Sequence, residues 1–116
     1  MNILTKYHTN IPRISPQEAY RMMLSDKHIL LDVRTVSEYR QVRIDGAKLI
    51  PVDELSRRAP AELPDKHIPL FIYCHSGARA ASAANMLARM GYTNIRNFGG
   101  IINWPYATIQ GSEDAK

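Results

Sequence analysis

Two segments of the chain are apolar at almost every position, and each predicts a strand covered on both faces: His28-Ile29-Leu30-Leu31-Asp32-Val33 and Ile68-Pro69-Leu70-Phe71-Ile72-Tyr73. Two shorter runs, Lys48-Leu49-Ile50 and Asn94 to Phe98, predict further strands. Helical patterns lie between them. Ser15-Pro16-Gln17-Glu18 combines a capping serine, proline at the first helical position and a glutamate three residues after the cap, predicting a helix from Pro16 to about Leu24 with Ala19, Met22 and Met23 near one apolar face. Thr35-Val36-Ser37-Glu38 repeats the spacing and predicts a short helix to about Gln41. Asp53 is placed to cap a helix over Glu54 to Arg58, after which Pro60, Pro64 and Pro69 suggest a surface connection.

The Ala- and Met-rich segment up to Met90 predicts a helix of about three turns, with Gly91 where a left-handed cap belongs. Gly99-Gly100 predicts a turn into a short helical piece, Ile101 to Trp104, stopped by Pro105. Strands alternating with helices argue for an α/β domain with a mainly parallel sheet. The expected organisation is an N-terminal lead-in over residues 1–10, one domain over 11–108 and a polar tail over 109–116.

Composition narrows what such a domain would do. The 116 residues suffice for one core, and 15 Lys and Arg against 11 Asp and Glu give a net charge of +4. The arginines are scattered, with no basic run interleaved with aromatics, so small anions are better expected partners than nucleic acid. The single cysteine excludes an internal disulfide framework and a multi-cysteine metal site. His8, His28, His67 and His75 show no ligand spacing, so neither metal nor cofactor is expected. The N-terminus lacks the apolar segment of a signal peptide, and no apolar run approaches the roughly 20 residues that span a bilayer. The expectation is a cytoplasmic protein without a membrane partner.

The candidate chemistry sits at Cys74-His75-Ser76-Gly77-Ala78-Arg79-Ala80, between the second apolar strand and the long helix. A loop opening into a helix presents free backbone N–H groups and the positive end of the helix dipole, and Gly77 lets the backbone curl so that these groups converge. Such a nest favours an anionic, nucleophilic sulfur on Cys74. Arg79, a cation at a helix start where the dipole disfavours it, calls for an anionic partner. His75 could tune the charge of the loop and Ser76 could donate a hydrogen bond. Asp32, Arg34 and Glu38 are expected to form one structural set of ion pairs and hydrogen bonds beneath the loop.

These residues carry a resemblance. The Cys74 to Ala80 segment resembles the Cys-x-x-Gly-x-Arg-[Ser/Thr/Ala] loop of single-domain rhodaneses, and Leu31-Asp32-Val33-Arg34 with Glu38-Tyr39 resembles that family's Leu-Asp-Val-Arg and Glu-[Phe/Tyr] segment. Gly46-Ala47 to Ile50-Pro51 is similar to its Gly-Ala-x-x-Ile-Pro, and Gly99-Gly100 to Trp104 to its closing Gly-Gly-x-x-x-Trp. The resemblance implies a rhodanese-like fold, a central mainly parallel five-stranded sheet with helices on both faces. It also implies a sulfurtransferase moving sulfane sulfur from a donor such as thiosulfate to an acceptor such as cyanide or a thiol, through a persulfide on Cys74. His75, Ser76, Gly77, Ala78, Arg79 and Ala80 would bind the substrate, and Asp32, Arg34 and Glu38 would support the site. The implied partners are a small anionic sulfur donor and a thiophilic acceptor, with a sulfur-donating or sulfur-accepting protein as a further option.

There are two departures from the family pattern. Val42-Arg43-Ile44 stands where the family usually has Gly-His-Ile, and His75-Ser76 is less cationic than the pair in thiosulfate-preferring members. A cysteine phosphatase is the nearest enzymatic rival, but its loop places five residues between Cys and Arg, whereas four intervene here. Two functions of a different kind also fit the pattern: a non-catalytic rhodanese-like interaction module and a protein-dependent sulfur carrier.

Overall fold

Leu30, Leu31, Phe71 and Ile72 are all buried, and their side chains alternate between two separate cores on opposite faces of one sheet. The computed structural model describes residues 11–111, so the lead-in expected over residues 1–10 and the end of the tail lie outside the described residues. The elements run α1 (Pro16–Ser25), β1 (Ile29–Asp32), α2 (Val36–Gln41), β2 (Arg43–Ile44), β3 (Lys48–Leu49), a 3-10 turn (Val52–Glu54), α3 (Leu55–Glu62), β4 (Leu70–Cys74), α4 (Ala78–Arg89), β5 (Ile95–Gly100), a second 3-10 turn (Ile101–Asn103) and β6 (Thr108–Ile109).

The main sheet has the order β3-β1-β4-β5 and is parallel throughout. Among the described residues it has four strands rather than the expected five. On the outer edge of β5, among the described residues, there is only an isolated parallel bridge from Arg13 to Asn97. Pro12 has no N–H to extend that bridge, and Ser15 is already capping α1, so the described residues on either side of Arg13 do not continue it as a strand. β2 and β6 instead form a separate antiparallel ribbon, with Arg43 opposite Ile109 and Ile44 opposite Thr108. The hydrophobic pattern carries no sign of β6, which is two residues long.

One face of the sheet is covered by α3 and α4. In α4, Ala80, Ala83, Ala84 and Leu87 form an i, i+3, i+4, i+7 stripe, and its small side chains let the helix lie close to Leu31, Ile72 and Cys74. The other face packs Ala19 of α1, Phe71, Tyr73 and Phe98, with Met22, Met23, Tyr39 and Trp104 at its margin. Each fully buried apolar side chain of this size contributes about 1.5–3 kcal/mol.

Both predicted caps on α1 and α2 form. Ser15 Oγ accepts from the Glu18 N–H at 3.0 Å, and at α2 the box is reciprocal, with Thr35 Oγ1 accepting from the Glu38 N–H and Glu38 Oε1 accepting from the Thr35 N–H. α3 differs from expectation. Asp53 makes no side-chain cap, because the chain enters through the 3-10 turn, and the helix runs on to Glu62 with Pro60 inside it. Leu63 N–H still closes onto Ala59 O at 2.7 Å, and the buried Tyr92 hydroxyl donates to Leu63 O at 2.6 Å. These bonds hold the helix end around the missing proline N–H.

Candidate functional site

β4 ends at Cys74 and α4 begins at Ala78, so the residues between are a tight connection at the carboxyl edge of the sheet. Gly77 makes that turn at φ +126°, a region that favours glycine. The first helical hydrogen bond is Ala81 N–H to Gly77 O, which leaves the amides of Ala78, Arg79 and Ala80 without an intrahelical acceptor. The Cys74 side chain is buried, and its Sγ accepts from the Gly77 N–H at 3.0 Å. The amide curl thus delivers a hydrogen bond to sulfur.

Behind the loop, Cys74 stands opposite Gly100 of β5. A Cβ at Gly100 would overlap the His75 carbonyl, so this glycine is required by the close approach of two backbones. That carbonyl accepts from the Ile102 N–H at 3.3 Å. The Gly99-Gly100 segment therefore closes β5 onto the back of the loop, a role its reading as a simple turn does not contain. His75 and Ser76 are exposed, and His75 shares a groove of about 450 Å³ with Glu38, Val42, Ile101, Ile102 and Thr108.

The expected single set beneath the loop is divided into two pairs. Arg34 grips both oxygens of Asp32, with Nη2 2.7 Å from Oδ2 and Nε 3.0 Å from Oδ1, and it also donates to Val42 O at 2.6 Å. Asp32 Oδ1 further accepts from the Arg34 N–H at 2.9 Å. Burial works against the charged guanidinium of Arg34, but the Asp32 hydrogen bonds together with the electrostatic attraction of Asp32, Tyr73 and Glu38 outweigh it and keep the group firmly protonated. The guanidinium lies over the Tyr73 ring, whose hydroxyl burial holds protonated while it accepts from the Ile44 N–H at 3.1 Å.

Glu38 instead meets Arg79. Arg79 Nη1 and Nη2 donate to its two oxygens at 2.7 and 2.9 Å, a bidentate pair across 41 residues of sequence. Hydrogen bonding from Arg79, supported by Thr35, holds the Glu38 carboxyl down at about 2 despite partial desolvation. The anionic partner that Arg79 calls for is thus a carboxylate of the chain itself. One residue near the loop carries no local sequence signal at all: Arg13, whose guanidinium packs against Gly77 and Gly99 and donates to Ser76 O at 3.4 Å.

The rhodanese-like domain family matches residues 15–105, most of the chain. The protein belongs to the rhodanese-like family. Thiosulfate sulfurtransferase PspE of Escherichia coli (strain K12) is 33% identical over 70% of this chain and 78% of its own length. An adenylyltransferase and sulfurtransferase of Yarrowia lipolytica is 29% identical over 79% of this chain, which spans only 23% of that protein. Among solved structures, a rhodanese with anions from E. coli superposes with a TM-score of 0.69 at 32% identity, covering 73% of this chain and 100% of that one. Rhodanese-like relatives thus include a short sulfurtransferase and a larger protein of which one region is similar to this chain. Among the described residues, no helix of this rhodanese-like domain is long and apolar enough to cross a membrane.

Proposed function

We propose that the protein is a sulfurtransferase of the thiosulfate type that carries sulfane sulfur as a persulfide on Cys74. The observation that carries this reading is the Gly77 N–H to Cys74 Sγ hydrogen bond, inside a loop whose next three amides have no helical acceptor. The Cys74 thiolate attacks the outer sulfur of thiosulfate; the donor's S–S bond breaks and sulfite leaves with the electron pair. The persulfide's terminal sulfur is anionic, and in this reading the amides of His75 to Ala80 donate to it. Cyanide or a thiolate then attacks that sulfur, taking it away and returning the Cys74 thiolate.

Arg79 serves this loop through Glu38, bracing α4 against α2, while Asp32 and Arg34 support the strand end beneath. No metal or cofactor enters the scheme, and a cytoplasmic setting suits one unpaired thiol. A sulfur-carrier role is a second reading, favoured by the 34% identity over 77% of this chain to a putative sulfur carrier protein of Bacillus subtilis (strain 168), of which the chain spans 48%.

Intact-mass spectrometry after incubation with thiosulfate tests the reading. The native chain should gain the mass of one sulfur atom, release it on cyanide addition, and show neither change as Cys74→Ser. Gain of sulfur only from a persulfidated protein would favour the carrier reading. No gain from any sulfane donor would leave a non-catalytic interaction module.

A further inference from the structure

Among the described residues, two arginines beside the loop are paired with carboxylates and a third is not. Arg34 is held by Asp32 and Arg79 by Glu38, each through two or more hydrogen bonds. Arg13 has no carboxylate partner among the described residues; its one hydrogen bond there is the long contact of Nη2 with Ser76 O. Most of its five donors therefore remain available.

Its position is nevertheless defined. The backbone bridges Asn97 on the edge of β5, where the Ile14 N–H donates to Asn97 O at 2.8 Å. The same asparagine accepts from the Gly99 N–H through Oδ1 at 2.9 Å, fixing the turn at Gly99, which has φ +94°. A Cβ at Gly77 would lie 2.8 Å from Arg13 Nη1, and one at Gly99 would overlap the guanidinium. Two left-handed glycines thus form a slot that the guanidinium fills. One wall of the slot is Gly77, whose amide holds the Cys74 sulfur.

We propose that Arg13 is a specificity-determining residue: the uncompensated cation that attracts an anionic sulfur donor to the loop. The inference rests on the sulfur-transfer reading for the identity of the donor. The positive charge missing from His75-Ser76 is supplied from outside the loop, by a residue that precedes α1. Such a charge acts over several ångströms and is screened by salt.

The test compares the native chain with Arg13→Gln and Arg13→Lys, all three checked for cooperative unfolding. Cys74 is alkylated with iodoacetate, which is anionic, and with iodoacetamide, which is neutral and similar in size. Arg13→Gln should lower the ratio of the two rates about fivefold at low salt, Arg13→Lys should restore at least half of it, and about 0.5 M salt should erase the difference. Thiosulfate turnover should change in step, through a higher KM at little-changed kcat. An unaltered ratio in Arg13→Gln, or equal slowing of both reagents, would make Arg13 a packing residue and overturn the proposal. Failure of the native chain to accept sulfur would instead sink the donor assignment, and the alkylation ratio would still decide whether Arg13 is the loop's free cation.

Discussion

Two carboxylate–arginine pairs stand at the carboxyl end of the sheet with nearly the same contact distance, 2.7 Å, and they do different work. Asp32 and Arg34 are 0% and 2% exposed, two residues apart, and tie the end of β1 to the backbone at Val42. Glu38 and Arg79 are 29% and 35% exposed and join two elements far apart in sequence, α2 and the start of α4. The first pair is enclosed and mainly a condition of folding. The second is open to solvent and mainly a condition of where the loop sits. Distance alone does not separate them; burial and connectivity do.

The largest effect should come from breaking the enclosed pair. Asp32→Ala leaves the Arg34 guanidinium buried, with Val42 O as its remaining hydrogen-bond partner, and removal of one partner from such a pair costs roughly 3–5 kcal/mol. Urea unfolding should show this as a large drop in midpoint at constant slope. A loss below about 1 kcal/mol would mean that Arg34 reaches water easily and that the two pairs are equivalent after all.

Breaking the open pair should affect stability less and function more. Glu38→Gln removes the bidentate grip on Arg79, and screening at a partly exposed site keeps the global loss to about 1 kcal/mol or less. The released loop should raise the KM for a sulfur donor severalfold. The acid dependence has a definite sign. The Glu38 carboxyl is held at about 2 in the folded chain, below its ordinary 4.5, so the unfolded chain takes up the proton first. The stabilisation is complete above about 4.5 and is lost as pH falls towards 2. Glu62 is lowered to about 2 as well, mainly by Arg58, so the native chain retains a second group titrating in this window. The difference between native and Glu38→Gln melting curves isolates the Glu38 share, and curves that stay parallel from pH 5 to about 2 would contradict it.

What could be read from the sequence follows the same division between local and long-range interactions. The caps at Ser15 and Thr35 and the strands Ile29–Asp32 and Leu70–Cys74 depend on neighbours within a few residues, so their spacing shows them. The loop was legible as a strand–glycine–helix junction for the same reason. The partition of Asp32, Arg34 and Glu38 into two pairs was not, because which guanidinium reaches Glu38 is settled by the packing of α4 on the sheet. The need for glycine at position 100 lies in the His75 backbone, and the place of Arg13 lies in a slot between residues 77 and 99. The missing fifth strand turned on Pro12, whose consequence is visible only once Arg13 is known to touch β5.

The smallest effect should come from a third group of ion pairs, away from the loop. Glu62 meets Arg58 at 2.6 Å and Lys48 at 3.1 Å, the first contact as short as that of Glu38 with Arg79. Its side chain is 29% exposed, as Glu38's is, so exposure does not distinguish the two. What they connect does. Arg58 and Glu62 are one turn apart on α3, and Arg58 keeps Glu54 at 3.0 Å when Glu62 is neutralised. Lys48 is 42% exposed and returns to water. Glu62→Gln should therefore leave sulfur loading and the iodoacetate to iodoacetamide ratio unchanged, and any shift in melting should vanish at about 0.5 M salt. A change in loading comparable to that of Glu38→Gln would show that charge anywhere on the surface governs the loop. In that case the bridge from Glu38 to Arg79 would have no special claim on it.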